Sequence, residues 1–212
     1  MHTENIDTYR KSTYFVVKRF FDIIISSVGL LLIWPFMLII AACVKIDSEG
    51  PAFYTHERIG YHRQKCNIYK FRTMYNNAEE LKGAFSAEQL DEWNENYKLT
   101  DDPRITKLGH FLRKTAIDEL PQLINILKGD LSLVGPRPIV LEELKKYGAD
   151  DEILLSVYPG LTGYWQVYAP EVCPYKERIK MELYYAQNAN LWLDIKIILK
   201  TLLAFPQGKW RK

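Results

Sequence analysis

The feature that most limits what this chain can fold into is the run Ile23–Val44, IIISSVGLLLIWPFMLIIAACV, 22 residues without a charge, closed by Asp22 and Lys45. A helix needs about 20 apolar residues to cross the hydrocarbon core of a bilayer, and this run is long enough. A cleaved leader fits poorly, because its apolar part covers only about 7–15 residues and ends at a small-x-small site. A buried core helix is the remaining soluble alternative. Pro35, in the middle of the run, lacks an N–H and crowds the preceding turn, which predicts a kink or break at Trp34-Pro35. Basic residues flank the run on both sides: Arg10, Lys11, Lys18 and Arg19 before it, and Lys45, Arg58, Arg63, Lys65, Lys70 and Arg72 after it. A spanning helix concentrates Lys and Arg at its cytoplasmic end. Two basic flanks favour a re-entrant helix that bends at Pro35 and returns to the face it entered, with Ser26 and Ser27 covering backbone groups freed by the bend. A plain span with a large cytoplasmic C-terminal domain is the alternative.

Outside this run the chain reads as one globular domain of ordinary composition. Its 212 residues carry 28 Lys plus Arg against 26 Asp plus Glu, a net charge of +2, which argues against a nucleic-acid partner. Hydrophobic residues at 48% and charged residues at 25% exclude the disordered classes. Cys43, Cys66 and Cys173 form no paired spacing, and the four histidines are scattered, so neither a disulfide framework nor a zinc site is expected.

The fold class expected is α+β, mostly helical with a small β-hairpin. Residues 51–54 and 67–72 are short, aromatic and alternating, with Ile59-Gly60 as the turn signal between them. Residues 76–96 read as a polar helical region and 105–114 as a short helix. Pro121 suits the first turn of a further helix, with Leu123, Ile124 and Leu127 as its apolar face and Gly129 as its cap. Val134-Gly135-Pro136-Arg137-Pro138 and Tyr158-Pro159-Gly160-Leu161-Thr162-Gly163 must be shaped loops, and 142–155 reads as an exposed helix between them. Residues 177–205 carry Trp, Tyr, Leu and Lys at helical spacing, which fits amphipathic helices lying at a membrane interface or packing inward.

Asp118 and Glu119 stand just before the helix opened by Pro121. A carboxylate there serves as a cap, a ligand for a hard cation or a nucleophile. Arg113, Arg137, Lys70 and Arg72 supply cationic groups, and Arg matches phosphate oxygens with a rigid fork. Together these residues suggest a polyphosphate substrate bridged by Mg²⁺. No Walker A, GxGxxG or HExxH motif occurs.

The stretches KRFFD, KFRTM, DPRITKLGHFLRKTAIDELPQLINILKGDLSLVGPRP, PGLTGYWQV and ELYYAQNANLWLDIKIILKTLLA, spread over residues 18–205, resemble the bacterial sugar transferases, the catalytic core of monotopic phosphoglycosyl transferases. The resemblance is to the minimal form, without a further N-terminal membrane domain. It implies an N-terminal segment 1–17, a re-entrant helix 18–46 broken at Trp34 and Pro35, a cytosolic phosphoglycosyl transferase domain 47–205 and a basic tail 206–212. It implies transfer of a sugar 1-phosphate from a UDP-sugar to a polyprenol phosphate such as undecaprenyl phosphate, with release of UMP, at the cytoplasmic face of the bacterial inner membrane. Asp118 would be the nucleophile and a Mg²⁺ ligand, Glu119 its acidic partner, and Arg113 and Arg137 the holders of the diphosphate. Lys70 and Arg72 would lie near substrate phosphates or the lipid headgroup. A homodimer is implied by analogy alone. Many relatives carry a basic residue before the Pro-Gly and Asn/Ser-Gly-Arg after Gln-Val; here Tyr158 and Tyr168-Ala169-Pro170 stand there, which leaves the sugar open. A noncatalytic membrane-anchored scaffold and a lipid-phosphate phosphatase are the competing readings.

Overall fold

The structure, a computed structural model, describes residues 2–83, 85–96, 99–170 and 173–204. Its elements run α1 (His2–Asp47), β1 (Phe53–Ile59), β2 (Lys65–Phe71), α2 (Ala78–Lys82), α3 (Ala87–Asn96), α4 (Lys107–Lys114), α5 (Gln122–Lys128), β3 (Ser132–Val134), α6 (Leu141–Leu144), α7 (Asp151–Leu154), β4 (Gly160–Thr162), α8 (Tyr164–Tyr168), α9 (Tyr175–Asn188) and α10 (Leu191–Ala204). The expected α+β class is observed, with β1–β2 and the parallel pair β3–β4 as two small sheets.

Helix α1 starts at His2, so residues 2–17 continue into the same helix as the apolar run. The helix also runs unbroken through Trp34 and Pro35, and the expected break does not interrupt it. Pro35 removes a single backbone donor, while the surrounding Leu, Ile and Phe side chains lose little by staying helical. Over Thr13–Asp47 the helix is long and apolar enough to cross a membrane. Its apolar side chains are turned outward, Leu31 and Leu32 being 72% exposed, which is the opposite of a core helix. The expected basic tail 206–212 lies outside the described residues.

The chain divides into two compact units, one made of Met1–Ile33, Thr55–Tyr69 and Gln122–Lys212, the other of Trp34–Tyr54 and Lys70–Pro121. In the first, the Gly/Pro loops are held backbone to backbone. Ser132 N–H donates to Pro159 O at 2.8 Å, Gly135 N–H to Thr162 O at 2.9 Å and Gly160 N–H to Pro136 O at 2.8 Å. A β-carbon on Gly135 would overlap the Tyr158 carbonyl oxygen and lie 2.7 Å from Gly160 N, so only glycine permits this approach. Helix α5 buries Gln122, Leu123, Asn125 and Ile126, whereas Ile124, expected on its apolar face, is exposed. The reason is Asn125: its Oδ1 accepts Tyr69 N–H at 2.9 Å and its Nδ2 donates to Asn67 O at 2.7 Å, fixing that face of α5 on β2. Gly129 follows α5 at φ +93°, as expected of a cap.

Residues 142–155, expected as one exposed helix, form two short helices joined by a 3₁₀ segment, Lys145–Asp150. Leu144, Tyr147, Leu154 and Leu155 are buried there. Glu143 is buried as well, within reach of Arg58 at 3.5 Å and Arg178 at 3.8 Å. Helix α9 adds Glu182, paired with Arg178 at 3.2 Å and hydrogen-bonded by Tyr147. A second polar cluster fastens α1: Lys18 Nζ meets Asp194 Oδ2 at 2.7 Å, Tyr185 OH donates to Asp194 Oδ1 at 2.7 Å, and Asp22 Oδ1 accepts Leu133 N–H at 3.0 Å. Arg19 donates to the carbonyls of Ile126 and Leu127 at the end of α5.

In the second unit, Thr106 caps α4 by accepting Gly109 N–H at 2.9 Å and donates its own N–H to Thr73 O at 3.0 Å. Arg104 binds Asp102 through Nε at 2.8 Å and Nη2 at 2.7 Å. The same guanidinium lies over the rings of Phe85 at 5.0 Å and Trp93 at 4.7 Å. The polar region forms α2 and α3, and this cluster holds Phe85 and α3 against the segment that leads to α4.

Candidate active site

The second unit assembles a carboxylate pair and three basic residues from elements set by local chemistry. Helix α4 ends in Arg113 and Lys114, cations that complement its C-terminal dipole. Ala116 then adopts a left-handed conformation, φ 53°, which turns the chain into a 3₁₀ segment, Ile117–Glu119. Asp118 and Glu119 therefore sit on their own turn ahead of α5 rather than directly at a helix start. Asp118 is buried, 2% exposed, while Glu119 is half-buried. At the end of β2, Lys70 Nζ meets Glu119 Oε1 at 2.8 Å. From α4, Arg113 Nε donates to Thr73 Oγ1 at 2.8 Å. The segment Lys70–Thr73 thus touches both the acidic turn and the arginine before it.

Arg72 is engaged at the end of α1. All five of its N–H groups point at the end of α1: Nε donates to Pro51 O, Nη1 to Ser48 Oγ and Glu49 O, each at 2.7 Å, and Nη2 to Ser48 O at 2.7 Å and Val44 O at 3.3 Å. A guanidinium has no further donors, so Arg72 is a helix cap and holds no phosphate in this arrangement. Arg137 belongs to the other unit, where its N–H donates to Glu182 Oε1 at 3.4 Å. Trp34 and Pro35 lie in the continuous helix α1, just past the unit boundary at Ile33.

Among the described residues, no group of three or more His, Cys, Asp or Glu could cage a metal ion. Mg²⁺, however, is ordinarily held by one or two carboxylates together with substrate phosphates and water. Asp118 beside Glu119 fits that substrate-bridged mode and not a prebuilt cage. Chemically, the turn offers a desolvated carboxylate, and a neighbouring lysine and arginine offer charge complementary to phosphate.

Thr73, Asp102, Arg104, Lys18 and Asp194 were not singled out as site or anchoring residues on sequence grounds. The signal for Asp194 was present in the sequence, a single acid on the apolar side of Leu191–Ala204, and so was that for Lys18, a cation one turn before the charge-free run. Their pairing joins positions too far apart in the chain for spacing to reveal.

The bacterial sugar transferase family model matches residues 13–208. The undecaprenyl-phosphate galactose phosphotransferase of Salmonella typhimurium is 45% identical over 195 residues, 91% of this chain and 40% of that protein. An uncharacterised sugar transferase of Haemophilus influenzae is 43% identical over 190 residues, 88% of this chain and 40% of that protein. The exopolysaccharide production protein ExoY of Rhizobium meliloti is 42% identical over 192 residues, 89% of this chain and 85% of that protein. The chain thus spans about two fifths of the length of the first two relatives and most of the third.

Proposed function

The chain belongs to the bacterial sugar transferase family, and from that premise we propose that it transfers a sugar 1-phosphate from a UDP-sugar to a polyprenol phosphate and releases UMP. The observation that carries this reading is the acidic turn itself, buried Asp118 followed by Glu119 in an ion pair with Lys70. An Asp118 carboxylate oxygen attacks the sugar-bearing phosphorus, the phosphoanhydride bond breaks, and UMP leaves with the electron pair. A polyprenol phosphate oxygen then attacks the same phosphorus and returns the carboxylate, leaving a polyprenol diphosphate sugar. One phosphoanhydride replaces another, so the residues need only neutralise charge and hold the groups in line. Glu119 and Lys70 set the charge beside the nucleophile, and Arg113, one turn before it, supplies a cation for the diphosphate. Asp118, with Glu119, would hold Mg²⁺, which when bound shields phosphate charge. The product is the first lipid-linked intermediate of an exopolysaccharide or capsule.

Membrane attachment is part of the proposal. Helix α1 carries the apolar stretch into the bilayer, and a bend at Pro35 that keeps the helix continuous, as Pro allows by removing one backbone hydrogen bond, would return it to the face it entered. Both ends of its apolar stretch are held by residues that follow it, Lys18 and Asp22 by Asp194 and Leu133, and Val44–Ser48 by Arg72. Helix α10 lies at the same surface, with Trp192, Ile195, Leu199, Leu202 and Leu203 exposed and Lys196 and Lys200 between them.

The test is UMP release from a panel of UDP-sugars, with and without undecaprenyl phosphate and Mg²⁺. Ping-pong kinetics and loss of both half-reactions in Asp118→Asn are expected; turnover surviving that substitution refutes the covalent route. Cysteines placed near Thr3 and Lys209 should both be labelled from the cytoplasmic side, and labelling from opposite sides refutes the re-entrant topology.

A further inference from the structure

We infer that Arg72 is a positioning residue that sets the end of the membrane helix α1 against the acidic turn, so that the lipid acceptor meets Asp118 in register. This inference rests on the proposed transfer to a lipid phosphate. Arg72 is 7% exposed, and no carboxylate among the described residues pairs with it. Its charge is met instead by four backbone carbonyls and one hydroxyl, all between Val44 and Pro51. The last carbonyls of a helix have no intrahelical partner and carry the negative end of its dipole, so a buried cation is stable there and free carbonyls are costly.

The clamp closes a short path. Arg72 N–H also donates to Ala52 O at 2.9 Å, and the Phe71 ring stacks on Phe53 at 5.1 Å between centroids, so the strand is fixed to the segment that leaves α1. Two residues earlier, Lys70 reaches Glu119, and one residue later Thr73 accepts from Arg113. Leu108 N–H of α4 donates to Asp47 Oδ1 at 3.4 Å, a second tie from the same helix end to the element that carries Arg113. Four consecutive residues therefore connect the place where α1 ends with both sides of the acidic turn. Where α1 ends, the apolar stretch gives way to charge, which is the level of a lipid phosphate. A lysine at 72 keeps the charge but offers three donors on a flexible stem, too few and too mobile to reproduce the five-bond cap.

The experiment compares wild type, Arg72→Lys and Arg72→Met as full chains in lipid nanodiscs. Hydrogen exchange of amides 45–52 is read without any substrate. UMP release in a single turnover without acceptor is read separately from steady turnover with undecaprenyl phosphate. Loss of bonds worth about 1–3 kcal/mol predicts exchange roughly 10- to 100-fold faster at 45–52 in Arg72→Lys. Turnover with lipid should fall about tenfold or more, through kcat and the acceptor KM, while donor-only UMP release stays within about twofold of wild type. Unchanged exchange, an equal loss in both half-reactions, or a rise confined to the donor KM each overturn the inference, the last restoring Arg72 as a donor phosphate ligand. If Arg72→Met does not fold, Arg72→Lys decides alone. If wild type releases no UMP from any UDP-sugar, the functional reading fails while the exchange result still decides the clamp.

Discussion

Gly109→Ala should destabilise the protein although it replaces glycine inside a helix. Intrinsic propensity alone favours alanine by about 1 kcal/mol. Gly109, however, is where α4 packs on Thr73 in the segment that follows β2. A β-carbon there would overlap the Thr73 carbonyl oxygen and lie 2.8 Å from the Thr73 carbonyl carbon and 2.9 Å from Thr106 Oγ1. Non-bonded atoms rest about 3.5–4.0 Å apart, so the helix and the segment at Thr73 must separate by roughly 1 Å or more. The neighbours are backbone atoms that no rotamer change relieves, and overpacking of this kind costs about 1–3 kcal/mol. Separation also loosens the Thr106 N–H bond to Thr73 O and the Arg113 bond to Thr73 Oγ1, each worth about 1 kcal/mol. The net expectation is a loss of about 2–4 kcal/mol, a Tm lower by about 10 °C for a chain of this size. Thermal unfolding in detergent, followed by tryptophan fluorescence, measures it. Turnover well below the Tm should fall too, because Arg113 loses its partner. A Tm at or above wild type would show that propensity outweighs the contact and would refute the packing argument.

Asn125→Asp should cost about 3–5 kcal/mol in urea unfolding, because it turns a donor pair toward Asn67 O and Asp130 Oδ2 into a buried anion; Asn125→Ala should cost less, and the reverse order would contradict the hydrogen-bond assignment. Asp102 is pushed up by burial, but the hydrogen bonds and charge of Arg104, with the charge of Arg113, hold it below its ordinary 3.8 overall. Its contribution is complete above pH 3.8 and is lost as pH falls through the lower folded value, so Tm should drop below about pH 4 more steeply in wild type than in Asp102→Asn. Burial pushes the Cys66 thiol up to about 11, aided by the Asp130 charge, so at pH 8 a maleimide should label Cys173 and spare Cys66 until the chain unfolds; equal rates would mean that the cluster around Cys66 is open. Leu199→Glu with Leu202→Glu should weaken the chain's retention in anionic vesicles without lowering its Tm, since both side chains are exposed, and an unchanged retention would remove α10 from the membrane surface.

Much of the architecture was legible because it rests on short-range rules. The short helix α4 within 105–114, Gly129 after α5 and the hairpin of β1 and β2 all follow from residue type and local spacing. Residues 142–155 failed the same test: their Glu and Lys content reads as solvated, yet Glu143 lies inside a cluster whose partners come from 58, 175 and 178. Ile124 and Asn125 are exchanged relative to hydrophobic expectation, since β2 offers free backbone groups that an amide satisfies and an isoleucine cannot.

By itself the sequence determined that a charge-free helix long enough for a bilayer precedes a polar α+β region, and that an acidic pair follows an arginine at the end of a short helix. Those properties are carried by runs and neighbours, and no distant partner can change them. Which basic residue serves which anion was decided only by the tertiary structure. Lys70 and Arg72 are two residues apart at the end of β2 and just beyond it, yet one meets Glu119 and the other the carbonyls ending α1. A long cation is defined by whatever acceptor lies within its reach, and in this chain those acceptors come from residues 44–51 and 119, brought beside the strand by folding.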